Sequence, residues 1–149
     1  MHRVLRWLRN AIAALVVLLL IAAATVYALS ERVIRRTYDE PLSSIPIPTD
    51  SVSIAEGGRI ALIHGCRGCH ARDLSGQEWD HDFWYGRLNA PDLTNATRTY
   101  SDAELVRLIR RGVRPDGRSA WAMPSEMFAP LSDADLGRII AYIRSLHRK

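Results

Sequence analysis

Residues Ala11 to Leu29 read AIAALVVLLLIAAATVYAL, nineteen consecutive positions without a charge. At about 1.5 Å per residue, a helix of that length spans roughly 28 Å, close to the hydrocarbon thickness of a bilayer. An amphipathic soluble helix would place polar residues every third or fourth position, and this run does not. A buried core helix is disfavoured because apolar runs this long seldom occur in small soluble domains. A cleaved secretory signal competes more closely. Arg3, Arg6 and Arg9 form a basic start, and Val26 and Ala28 suit the small-residue positions of a cleavage site. The run exceeds an ordinary signal core of about 7–15 residues, so an uncleaved anchor is expected.

Charge says little about which way such an anchor points. Three arginines precede it, and Arg32, Arg35 and Arg36 follow. The positive-inside rule then favours a cytoplasmic N-terminus only slightly. Charge does exclude one class of function. Of the net +4, residues 1–40 carry six Arg against three acids. Residues 41–149 carry thirteen Arg and one Lys against thirteen acids, a balance of +1. The folded part has no basic stripe of the kind a phosphate backbone requires, so no nucleic-acid partner is expected.

The chain therefore divides into a basic N-terminus (1–10), the anchor (11–29), a juxtamembrane segment with a Pro-rich linker (30–49), and one soluble domain (50–149). Pro41, Pro46 and Pro48 in EPLSSIPIPTD prevent continuous helix and favour an extended tether. Eleven residues from Glu40 to Asp50 reach at most about 36–40 Å. In the domain, apolar spacing predicts a helix over 53–64, stopped by Gly65, with Ile54, Ala55, Ile60, Ala61 and Ile63 inward. Ser101 and Glu104 form a capping box for a second helix, which Gly112 ends. Ser132 and Asp135 start a third, with Leu136, Ile139, Ile140, Ile143 and Leu146 as its apolar face. No segment shows convincing strand alternation, so the fold class is all-α. The stretches 71–100 and 113–131 are long for loops in a helix-only core unless a large apolar group fills the centre.

Cys66 and Cys69 are the only cysteines, and His70 follows directly. On one helical turn all three lie on the same side. A structural zinc site wants four ligands, yet His64 and His81 form no second pair at matched spacing. A thioredoxin-type dithiol needs a βαβ context, and a plain disulfide leaves His70 unexplained. Cys-x-x-Cys-His is the signature of covalent haem attachment: two thioethers hold the vinyl groups, and the histidine reaches the iron.

Beyond that motif, the chain resembles the class I cytochromes c of the membrane-anchored bacterial kind, over residues from about 50 to 147. The matching pieces are an N-terminal helix with glycines, CRGCH, APDLT, GVRPDGR, MPSEMFAPLSDADL and the terminal helix GRIIAYIRSL, in the family's order. The resemblance implies three main helices and long loops around one covalent haem c. It places attachment outside the inner membrane, so residues 30–149 are periplasmic and the N-terminus cytoplasmic. The Met-Pro position supplies the family's sixth iron ligand, which here is Met123, displayed in extended geometry ahead of Pro124. Met127 reads instead as gap-filler in a packed turn. His81 is the alternative sixth ligand, and His64 reads as helix-end structure. The resemblance also makes the Pro91 carbonyl the acceptor for the second His70 nitrogen, with Asp92 in place of the family's Asn, and packs Leu93 on the haem.

Arg87, Arg118 and Trp121 are candidates for the haem propionates, and nothing in the sequence chooses among them. Trp79, Phe83, Trp84 and Tyr85 suit a haem edge or docking surface, with a packed loop over the haem preferred. The RRGVRPDGR run reads as solvated surface. The expected function is single-electron transfer between membrane or periplasmic redox proteins, with no small molecule at the iron and no catalysis by the chain itself. A dedicated subunit of a larger oxidoreductase and a haem-based ligand sensor are the alternatives.

Overall fold

The computed structural model describes residues 2–84 and 86–146. The chain divides after Arg36 into two units. The first is a single helix, α1 (His2–Ile34), without a buried residue. By length and composition it is long and apolar enough to cross a membrane.

The second unit starts at Thr37, not at residue 50. Thr37 bridges to Arg118, and the Tyr38 N–H donates to the Gly117 carbonyl at 2.8 Å. Arg107 donates to the Glu40 carbonyl at 3.1 Å. Ile45 and Ile47 pack on the core. The segment expected to swing as a free tether is thus a strap laid along the domain. Its prolines give the extended shape, and its two isoleucines give it apolar surface to bury.

α2 (Ser51–Ile63) starts two residues before the expected position because Asp50 caps it, accepting from the Ser53 N–H at 2.9 Å. His64 closes it, its N–H donating to the Ile60 carbonyl. Ile63, expected inward, is 64% exposed. α3 (Cys66–Cys69) is one turn. α5 (Asp102–Arg111) carries the full Ser101–Glu104 capping box and ends at Gly112 with φ +65°. α6 (Asp133–Ser145) is capped by Ser132.

Two elements went unforeseen. β1 (Gln77–Asp82) and β2 (Gly86–Ala90) form an antiparallel hairpin with an irregularity between Glu78 and Asp80. β1 is almost wholly exposed, and the alternation in β2, with Leu88 and Ala90 half-buried about exposed Asn89, is too short to read. α4 (Leu93–Thr99) is built from Thr- and Asn-rich sequence of modest helix propensity. The Asp92 carboxylate starts it, accepting from the N–H groups of Thr94 (2.9 Å) and Asn95 (3.3 Å). The all-α class therefore holds with a hairpin added.

α6 joins the two halves of the core. Leu136 and Ile140 meet Leu105, Val106, Ile109 and Phe128. Ile139 and Ile143 meet Ile60, Ala61 and Leu74. α2 crosses α6 at glycine: a Cβ on Gly57 would lie 1.9 Å from the Arg138 carbonyl oxygen.

Candidate haem site

Gly65, at φ +76°, turns the chain out of α2 and into α3. α3 presents Cys66 and Cys69 as free, half-buried thiols one turn apart. Cys66 packs on the core cluster that contains Ile60 and Leu74, and burial pushes its thiol pKa up. The His70 N–H closes the turn onto the Cys66 carbonyl at 3.0 Å.

His70 Nδ1 lies 2.9 Å from the Pro91 carbonyl oxygen. A carbonyl only accepts, so Nδ1 carries the proton and Nε2 keeps its lone pair. Burial lowers the imidazole pKa, and the bond to Pro91 partly opposes that. The ring is therefore neutral near pH 7, the form that ligates a metal.

Pro91 reaches this position through the hairpin. Pairing of Gln77 with Ala90 brings the two ends of the 77–90 segment together. Gly76, at φ +83°, passes directly behind: a Cβ there would lie 2.7 Å from Asp92 N and 2.8 Å from Pro91 C. The Gly76 N–H donates to the His70 carbonyl at 2.9 Å, and the Gln77 amide donates to the Gly68 carbonyl at 2.9 Å. The Leu93 N–H donates to the Leu74 carbonyl at 2.9 Å, and the Leu93 side chain packs on the Ile60–Leu74 cluster. Sequence reasoning missed Gly76 and Gln77. The signal available was one glycine before a polar run.

Met123 is half-buried against the Leu105–Phe128 cluster. It sits in the loop after α5, its N–H bonded to the Ala120 carbonyl at 2.7 Å. Met127 is 64% exposed while its neighbour Phe128 is buried, so Met127 fills no gap. His64 is a helix end, with Nδ1 3.0 Å from the Ile60 carbonyl. His81 lies on the hairpin 3.4 Å from Glu78.

Of the propionate candidates, Arg87 lies in β2, and Arg118 and Trp121 lie in the loop after α5. Arg87 faces Glu78 across the hairpin at 3.7 Å, Arg118 lies near Asp116, and Trp121 is exposed. Phe83 and Trp84 stand edge to face in the hairpin turn at 91% and 88% exposure. They form no packed loop. Tyr85 lies outside the described residues.

The donor set fits a covalently attached haem. It offers two thiols on one turn with apolar backing, and beside them a neutral imidazole whose free nitrogen is Nε2. Such a turn on a mostly helical frame defines a c-type cytochrome. A family model described as "Cytochrome C oxidase, cbb3-type, subunit III" matches residues 53–143, and the chain belongs to that family. Membership of that family implies covalently bound haem c with its iron.

Among curated proteins, the chain is 26% identical over 113 residues to the fructose dehydrogenase cytochrome subunit of Gluconobacter japonicus, covering 70% of this chain and 23% of that protein. It is 28% identical over 102 residues to the alcohol dehydrogenase (quinone) cytochrome c subunit of Gluconacetobacter polyoxogenes, covering 62% and 22%. The chain thus spans less than a quarter of the length of these relatives. No solved structure matches it.

Proposed function

We propose that this protein is a membrane-tethered cytochrome c that passes single electrons between redox enzymes at the periplasmic face of the inner membrane. The bond from His70 Nδ1 to the Pro91 carbonyl carries the reading, because it aims the free Nε2 as a metal ligand. Cys66 and Cys69 would hold the haem covalently, and His70 and Met123 would ligate its iron. A soft neutral thioether opposite an imidazole raises the potential. The bound iron supplies reversible one-electron exchange. With His70 and Met123 both bound, the iron would be closed to exogenous ligands, which would limit rearrangement between oxidation states. α1 anchors the protein with the N-terminus in the cytoplasm, and residues 30–149 lie outside.

A second reading makes the chain a dedicated subunit of a membrane dehydrogenase. Similarity to cytochrome subunits of fructose and alcohol dehydrogenases favours it.

Met123→Ala is the decisive variant. It should abolish the low-spin spectrum of the wild type and open the ferrous protein to carbon monoxide, while Met127→Ala changes neither. An unaltered Met123→Ala spectrum removes the axial assignment. Carbon monoxide binding by the wild type at neutral pH removes the closed-carrier model. Stoichiometric co-purification from detergent-solubilised membranes with dehydrogenase chains selects the subunit reading.

A further inference from the structure

Arg67 occupies the first variable position of Cys-x-x-Cys-His, between the two attachment thiols. Its side chain folds back onto α6. Nη2 donates to the Tyr142 hydroxyl at 2.7 Å, and the guanidinium carbon lies 5.9 Å from the centre of the Tyr142 ring. The ring has its own seat: a Cβ on Gly58 would come within 3.0 Å of it. Arg67 Nε is buried and has no hydrogen-bond partner.

Several other arginines of the domain meet carboxylates, while Arg107 donates to the backbone carbonyls of Glu40 and Arg114. Arg59 pairs with Glu56, Arg110 with Asp133, Arg138 with Asp135 and Arg144 with Asp102. Among the described residues, no carboxylate pairs with Arg67. A half-buried positive charge is therefore held at a fixed point on the attachment turn, with a hydroxyl and an aromatic face in place of a counter-ion.

We propose that Arg67 is a potential-setting residue and Tyr142 the residue that positions it. The proposal rests on Cys66 and Cys69 carrying the haem, which puts the cation beside the group on its covalently bonded side. Reduction adds one negative charge there. A cation without a carboxylate partner, held on the attachment turn, favours the reduced state, and partial burial weakens the screening that would cancel it. Tyr142 prevents the long side chain from swinging its charge into solvent.

The test is spectroelectrochemical titration of full-length holoprotein in detergent. Arg67→Gln should lower the equilibrium constant for reduction about three- to tenfold, which at about 59 mV per tenfold is a fall of about 30–60 mV. Arg67→Lys, which keeps the charge, should stay within about twofold of wild type, and Tyr142→Phe should fall about twofold. A potential unchanged in Arg67→Gln overturns the proposal. So does Arg67→Lys falling as far as Arg67→Gln, since geometry and not charge would then be responsible. If Arg67→Gln does not load haem, Tyr142→Phe decides: a fall supports the proposal and no change overturns it. Haem quantitation on the wild type separates the two readings. Absence of covalent haem overturns the haem assignment itself, whereas loaded haem with no shift overturns the role of Arg67 alone.

Discussion

The α2–α6 crossing and the β1–β2 hairpin both support the attachment turn, and they are built in opposite ways. The crossing is a backbone-to-backbone seam. Gly57 lets the Arg138 carbonyl approach where a methyl group cannot fit, and Ile60, Ala61, Ile139 and Ile143 bury the rest. The hairpin is almost wholly exposed along β1 and is secured at its root, where Gly76 passes behind Pro91 and Gln77 reaches Gly68. The seam supports the turn through packing density. The hairpin supports it through a few directed polar bonds. Damage to the first should therefore register as lost stability, and damage to the second as a misdirected ligand.

The largest effect is expected at the seam. Gly57→Ala forces α2 off α6 and should cost about 3 kcal/mol, seen as a fall in the denaturant midpoint. A loss below about 1 kcal/mol would mean that the crossing relaxes freely, and the contrast would fail. At the hairpin root, Gly76→Ala meets both a left-handed φ and backbone contacts under 3 Å. It should cost about 2 kcal/mol and also speed hydrogen exchange at His70 Nδ1, a signature Gly57→Ala lacks when matched for stability. Ser101→Ala removes a capping box remote from both regions and should cost about 1 kcal/mol, with no change at His70. At the hairpin turn, replacing Phe83 and Trp84 together by Ser should shift stability by no more than about 0.5 kcal/mol, because neither side chain is packed.

The smallest effect concerns pH. The Ser53 N–H bonded to Asp50 holds that carboxyl below its ordinary value of 3.8. Its contribution to the α2 cap is complete above that value and disappears as pH falls through the lower folded value. Denaturation at pH 3 should thus show less difference between wild type and Asp50→Ala than at pH 7.

Much of this was legible beforehand, because the signals are local. The Ser101–Glu104 box, the Gly112 stop, the Ser132 cap and the apolar stripe of α6 each involve residues within a turn or two of one another. The attachment motif is local as well. The hairpin was invisible because β1 is almost wholly exposed and β2 alternates over only four residues, and α4 because its residues favour helix weakly until Asp92 caps it. The strap misled for a related reason. Prolines announce extended chain, but whether extended chain is free or packed depends on what it meets, here the α6 backbone at Gly137, where a Cβ would lie 2.3 Å from the Pro46 carbonyl oxygen.

By itself the sequence determined the uncharged nineteen-residue helix, the attachment turn and the caps of α5 and α6, since each follows from residues close together in the chain. Tertiary structure decided the rest. It put Pro91 within 2.9 Å of His70 across twenty-one residues and held the Arg67 charge on Tyr142 across seventy-five. Hydrogen bonds and charges act over ångströms in space, and only the closed chain sets which distant residues come that near.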